Sequence, residues 1–256
     1  MIRAVAFDLW ETLITNTPEL SVAQKTLRVE SLERVLRDRG FDLDSASIDR
    51  AHHETWALLQ ELYWSIDLDV SCRRQIDHFL ELLGVKVDDA TIDVLEDAYA
   101  RVVTKIPPQI VDGAREALRA MRDRDLRVGL ISNTGRTPGS ALREVLAQLD
   151  LAPSIDVMLF SNEHGECKPR PSIFRALHDA LGVDYDEIAF VGDNLYVDVH
   201  GAQQNGMKGI HFIPPQRGTA IAPAVDHGLT IVPDATIRDL RKLSEVIDAL
   251  SLVPHE

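Results

Sequence analysis

The sequence predicts an α/β fold: a doubly wound, Rossmann-like parallel sheet carrying an inserted, all-helical segment. Three observations support this. Short apolar runs recur along most of the chain with helix-forming stretches between them, the alternation expected of a mainly parallel sheet covered on both faces. One long stretch, from about Thr15 to Lys105, breaks the alternation and shows only helical periodicity. Residues capable of chemistry gather at the carboxyl ends of the apolar runs, where open α/β sheets bind ligands.

Ala4–Leu9 is the first expected strand. After it, Leu27, Leu32, Val35 and Leu36 fit a helical stripe, as do Leu58, Leu59 and Leu62, then Ile76, Phe79, Leu80 and Leu83. Ile106-Pro107-Pro108 returns the chain to the sheet unit, which divides it into a core of residues 1–14 and 106–256 and a helical insert of residues 15–105. The remaining expected strands are Val128–Ser132, Val157–Ser161, Ile188–Gly192, Gly209–Ile213 and Thr230–Val232. Helices are expected at Ala114–Arg124, Gly139–Leu149, Pro171–Leu181 and Val197–Asn205, and the tail Val253–Glu256 reads as frayed.

With 256 residues, the chain is long enough for a sizeable buried core. Its formal net charge of −14 argues against nucleic acid or an anionic membrane surface as partner, since both need clustered Lys and Arg. A local cationic site can still hold an anionic small molecule. No apolar run approaches a membrane span and no charged-then-apolar leader opens the chain. Cys72 and Cys167 lie far apart, so a disulfide scaffold is not expected and the cytoplasm is the expected compartment. Oligomeric state leaves no readable signal.

Four blocks carry the chemistry: Phe7-Asp8-Leu9-Trp10-Glu11-Thr12-Leu13, Leu130-Ile131-Ser132-Asn133-Thr134, Cys167-Lys168-Pro169-Arg170-Pro171, and Phe190-Val191-Gly192-Asp193-Asn194 through Asp198. Asp8 can attack an electrophile and form a covalent intermediate. Ser132, Asn133 and the amides beside them can hold phosphoryl or oxyanion oxygens, and Lys168 can neutralise charge on nucleophile and substrate alike. Asp8 and Asp193 offer the hard oxygen donors that Mg²⁺ prefers. Asp198 can orient Lys168 or a water on the metal.

In this order and context the blocks resemble the haloacid dehalogenase superfamily of hydrolases, from Ile2 through roughly Leu250, with the insert matching the helical cap many members carry. The resemblance implies Asp8 as nucleophile, Thr12 and Ser132 in support of the motif geometry and the transferring group, and Lys168 as charge clamp. It implies Mg²⁺ held by Asp8, the backbone carbonyl of Trp10, and Asp193. One position departs from the pattern. Phosphatases of the superfamily usually place an Asp two residues after the nucleophile as general acid and base, and Trp10 stands there. Its indole N–H only donates. On an extended chain Glu11 points the other way and is a poor substitute. That assistance is typically worth ~10²–10⁴ in rate, or about 3–5 kcal/mol. The resemblance therefore implies Mg²⁺-dependent hydrolysis of a small phosphoric monoester, with turnover that is slow or substrates whose leaving groups need little protonation. Two alternatives stay open: metal-free 2-haloacid dehalogenation, whose branch also carries an aromatic residue at this position, and a non-catalytic module that binds a phosphate ligand or a protein.

Other residues have plainer readings. Trp10 is core packing or a wall of the site. His52-His53 reads as a surface pair, because adjacent helical residues face different directions. Trp56, Tyr63 and Trp64 read as the insert's core, with room for one of them to face the substrate. Arg34, Arg37 and Arg39 read as a solvated helix face, although an arginine of the insert can clamp a substrate carboxylate. Cys72 and Cys167 read as inert.

Overall fold

A computed structural model describes residues 1–215 and 228–252; the tail Val253–Glu256 lies outside the described residues. The chain runs β1 (Ala4–Phe7), β2 (Ile14–Thr15), α1 (Pro18–Asp38), α2 (Ser45–Leu62), α3 (Cys72–Leu83), α4 (Asp89–Ala100), α5 (Val102–Lys105) and β3 (Gln109–Ile110). It continues through α6 (Ala114–Asp123), β4 (Arg127–Ser132), α7 (Gly139–Gln148), β5 (Val157–Phe160), α8 (Ser161–His164), α9 (Pro171–Leu181) and β6 (Ile188–Gly192). A π-helical turn (Leu195–His200) then leads into α10 (Gly201–Gln204), β7 (Lys208–Phe212), β8 (Ala235–Ile237) and α11 (Leu243–Leu252).

Six strands form one parallel sheet in the order β5-β4-β1-β6-β7-β8. Counted alone they run 3-2-1-4-5-6, the order of a doubly wound sheet, and the direction of travel reverses beside β1. The register sets Phe7 against both Leu130 and Val191. Three strands therefore end side by side, and the first residues past them, Asp8, Asn133 and Asp193, open onto one crevice. β1 and β6 are buried throughout, as strands covered on both faces must be. Phe7, Leu130 and Val191 join one apolar cluster, while Ala6, Ile131 and Phe190 join the other against α9.

The last sheet strand is not where the sequence predicts it. Thr230–Val232 is not a strand and Val232 is 72% exposed. Pro233 has no N–H to give a ladder, so pairing with β7 begins only when Asp234 N–H donates to the Gly209 carbonyl at 2.9 Å.

Helices α1–α5 bury a core of their own, in which Leu32, Leu36, Ile48, Ile76, Phe79 and Leu95 meet Ala141 and Val145 of α7. The antiparallel pair β2–β3, Ile14 opposite Ile110, joins the chain's departure to its return. Two-residue strands carry no readable alternation, and this pair has no counterpart in the sequence reading. The stripe on α2 also differs. Its buried residues are Ile48, Ala51, His52, Thr55 and Leu59, whereas Leu62 is exposed. A His and a Thr on the inward face disguise the period. Among the described residues, no helix is long and apolar enough to cross a membrane.

Candidate active site

Just past β1 the backbone turns sharply. The Asp8 N–H donates to the Val191 carbonyl at 2.9 Å, and the N–H groups of Leu13 and Ile14 both donate to the Leu9 carbonyl. Glu11 closes this turn in the left-handed region, at φ 62°, so the chain is not extended there as the sequence reading assumed. Its Oε2 accepts the Thr15 hydroxyl at 2.9 Å. The turn brings Thr12 back over Asp8, where its hydroxyl donates to Asp8 Oδ2 at 3.3 Å. The turn's backbone bonds use the Leu9 and Ile14 carbonyls and leave that of Trp10 out. The Trp10 side chain is half-buried; it packs on the core and lines the crevice, filling both roles considered for it.

Lys168 reaches Asp8 from the far side of the sheet's end. Its ammonium donates to Asp8 Oδ1 at 2.6 Å, to Asp198 Oδ1 at 2.7 Å and to the Ile131 carbonyl at 3.0 Å, using all three of its N–H bonds. Burial alone would lower this ammonium's pKa, but the charges of Asp198 and Asp8 outweigh it and hold the group above its usual range. Asp198 is itself fixed, accepting the Asn194 N–H on Oδ2 at 3.0 Å. Gly192 is required beside it, since a Cβ there would lie 2.3 Å from the Asp198 carboxyl.

Asp8, Asp193 and Asp198 are all buried, with carboxylate oxygens within 4.8 Å of one another. Burial, opposed by Lys168 and reinforced by Asp198, pushes the Asp8 carboxyl up to about 6. Lys168 bonds two of these three acids, and three buried carboxylates this close together form a donor set suited to a cation. Both oxygens of Asp198 are engaged. Ligand atoms for an ion would therefore come from Asp8 and Asp193, and the Trp10 carbonyl that the resemblance adds to them takes no part in the turn's backbone bonds. This all-oxygen donor set fits Mg²⁺.

At the end of β4, Ser132 Oγ is fully buried and has no hydrogen-bond partner among the described residues. An unsatisfied buried hydroxyl costs about 1–3 kcal/mol; the crevice at this strand's end is lined by Asn133 and Thr134 rather than by Ser132. Asn133 is engaged differently: its amide donates to the Lys168 carbonyl at 3.0 Å and accepts the Lys168 N–H at 2.8 Å. It clamps the backbone of Lys168 while one edge still faces the crevice. Thr134 donates to Asp69, a buried acid that also accepts Ser161 and the Trp64 indole. The sequence reading missed Asp69; a single Asp in a helical segment gives no signal.

The crevice widens under α1 and α2 into a cavity of about 920 Å³. Trp56 and Trp64 face it, whereas Tyr63 bonds His78 instead. His52 is not a surface residue: it is buried, and its Nε2 accepts from Arg136 at 2.9 Å. Burial first, then Arg136, Arg28 and Lys25, pushes its pKa down to about 2, so the ring is neutral. His53 is exposed. Arg34, Arg37 and Arg39 do lie on a solvated face, and the arginine of α1 that turns inward is Arg28. Its place four residues before Leu32 on the buried stripe was the available signal. Both cysteines are buried free thiols, and burial pushes that of Cys72 up to about 12.

The comparisons agree with this geometry. Residues 2–206 match the model of the haloacid dehalogenase-like hydrolase family. Glyceraldehyde 3-phosphate phosphatase of Pyrococcus abyssi is 28% identical over 83% of this chain and 82% of its own. Phosphoglycolate phosphatase of Rhodospirillum rubrum is 30% identical over 76% of this chain and 73% of its own. The crystal structure of a 2-haloacid dehalogenase from Pseudomonas syringae superposes with a TM-score of 0.69 at 25% identity, covering 97% of this chain and 99% of that one.

Proposed function

We propose that this chain, which belongs to the haloacid dehalogenase-like hydrolase family, hydrolyses a small phosphoric monoester through Asp8 with Mg²⁺ as cofactor. The observation that carries the reading is the buried cluster of Asp8, Asp193 and Asp198, in which Lys168 bonds Asp8 and Asp198. A metal-free displacement has no use for the third acid, whereas a phosphoryl site needs an ion to balance it. Relatives that are phosphatases by name support the same reading.

Asp8 Oδ1 is held by Lys168 at 2.6 Å, whereas Thr12 meets Oδ2 at a longer 3.3 Å, and we take Oδ2 as the attacking oxygen. Attack forms an Asp8–phosphorus bond and expels the alkoxide, which takes its proton from water because Trp10 has none to give at that point. The amides past the end of β4 receive the phosphoryl oxygens, and Lys168 stabilises their charge. Asp8 and Asp193 would hold Mg²⁺, which would supply positive charge to offset the repulsion between carboxylate and phosphate. Water then attacks phosphorus, releasing phosphate and restoring Asp8. With no Asp at position 10, both proton transfers go unassisted, and turnover of substrates with poor leaving groups is slow. We take residues 15–105 as a cap that closes the cavity over the substrate.

Two observations favour a second reading. Trp10 and the superposition on a 2-haloacid dehalogenase fit halide displacement, which needs no proton at the leaving group. Hydrolysis of an activated aryl phosphate, with Mg²⁺ and then with excess chelator, separates the two. Metal-dependent turnover lost in Asp8→Asn supports phosphoryl transfer. Halide release from a 2-haloacid in chelator, without phosphatase activity, would replace it.

A further inference from the structure

The cavity above Asp8 is electrically divided. Its floor carries Asp8, Asp193 and Asp198 with Lys168 tied among them, while Lys25, Arg28 and Arg136 stand on the wall formed by the insert and the loop after β4. Lys25 pairs with Asp49 at 2.8 Å on the surface. The two arginines are different. Arg28 is 5% exposed, donates its Nε to the Tyr99 carbonyl at 3.1 Å and lies 5.0 Å above the Tyr99 ring. Arg136 donates through one nitrogen to the ring and carbonyl of His52 and lies 4.8 Å from the Trp56 ring. Neither has a carboxylate partner among the described residues.

That absence is unusual in this chain. Asp and Glu number 41 against 27 Lys and Arg, and five of the insert's other seven arginines, Arg37, Arg39, Arg73, Arg74 and Arg101, pair with an acid. A buried charge is costly unless paired, and two guanidinium groups on one wall repel each other. A guanidinium has five N–H bonds in a fixed fork. The carbonyl, imidazole and aromatic contacts hold each group in place but supply no negative charge. His52, neutral between them and accepting from Arg136, orients that fork without competing for an anion.

We infer that Arg28 and Arg136 form an anion subsite in the cavity that Asp8 also lines, so that the substrate is a short phosphoric monoester bearing a second anionic group, a carboxylate or a second phosphate. The inference rests on the reading of the Asp8 end as the phosphoryl site. Trp56, 4.8 Å from Arg136, lines the same cavity.

Three inert probes of equal chain length test this by calorimetry in the presence of Mg²⁺: propylphosphonate, 3-phosphonopropionate and propane-1,3-diphosphonate. At least one doubly anionic probe binds the native protein about tenfold or more tighter than propylphosphonate, and the tighter of the two identifies the second group as carboxylate or phosphate. The gap closes to about threefold or less in Arg136→Gln and Arg28→Gln, and Arg28→Lys retains part of it. Equal binding of all three probes by the native protein, or binding of none, overturns the subsite, and this result needs no variant to fold. Aryl phosphate turnover, measured on the same preparation, reads the other proposal. Discrimination without turnover keeps the subsite and removes the hydrolysis; turnover without discrimination does the reverse.

Discussion

Lys168 Nζ lies 2.6 Å from Asp8 Oδ1, and the two buried side chains meet although 160 residues separate them in sequence. The contact makes the cation part of the nucleophile. Replacing it in Lys168→Met leaves Asp8 and Asp198 facing each other in a buried space. Removing one partner of a buried pair typically costs about 3–5 kcal/mol, part of which the variant recovers by protonating Asp8. A protonated Asp8 does not attack, so kcat falls by about 10³ or more. Lys168→Arg does not restore it, because a planar fork cannot reproduce the three donor directions to Asp8, Asp198 and the Ile131 carbonyl. Urea denaturation and steady-state kinetics on both variants check this; an active Arg variant would show that charge alone suffices.

Asp193→Asn keeps the shape of the site and removes one negative charge from its cluster. Mg²⁺ affinity, read by calorimetry, falls by about 10² or more, while added stability from Mg²⁺ in a thermal melt disappears. Asp198→Asn behaves differently. Its oxygens serve Lys168 and Asn194, so Mg²⁺ affinity changes little and the loss falls on kcat. Equal losses of affinity in the two variants would place Asp198 among the metal's ligands.

Much of this site was legible because a parallel sheet makes it so. Apolar runs ending in Asp8, Ser132 and Asp193 can be aligned by their ends, and β1 between β4 and β6 does bring those ends together. Lys168 was legible from its block, although only the structure shows it spending all three donors. The wall of the cavity was not legible. Arg28, His52 and Arg136 come from two helices and a loop, and no spacing rule relates them. His52 sits on the buried stripe of α2 among Ile48, Ala51 and Leu59, where an apolar period interrupted by a ring and a hydroxyl does not register. Glu11 escaped because its left-handed backbone breaks the extended geometry assumed for it.

Trp10→Asp restores a carboxylate two residues beyond the nucleophile, on the crevice side of the turn. Alkyl phosphate hydrolysis rises by about tenfold or more, since general acid–base help is typically worth ~10²–10⁴. An activated aryl ester gains little, because its leaving group needs no proton. A comparison of kcat on the two esters isolates the effect from any change in binding. A variant that is folded yet accelerates neither ester would show that proton transfer does not limit the native protein.

His52 gives the fold a dependence on pH that can be separated from catalysis. In the folded chain its pKa is pushed down to about 2, from an ordinary 6.5. Above pH 6.5 the ring is neutral in folded and unfolded chains alike, and it contributes no slope. Between pH 6.5 and about 2 the unfolded chain binds a proton that the folded chain refuses, so acidification favours unfolding by about 1.4 kcal/mol per pH unit. His52→Gln removes that term and keeps an acceptor for Arg136. Between pH 7.5 and 5.0 the native protein loses about 2 kcal/mol more than the variant in urea denaturation, the other titrating groups being common to both. Parallel pH profiles would mean that His52 is protonated in the folded chain, with Arg136 turned away from its ring.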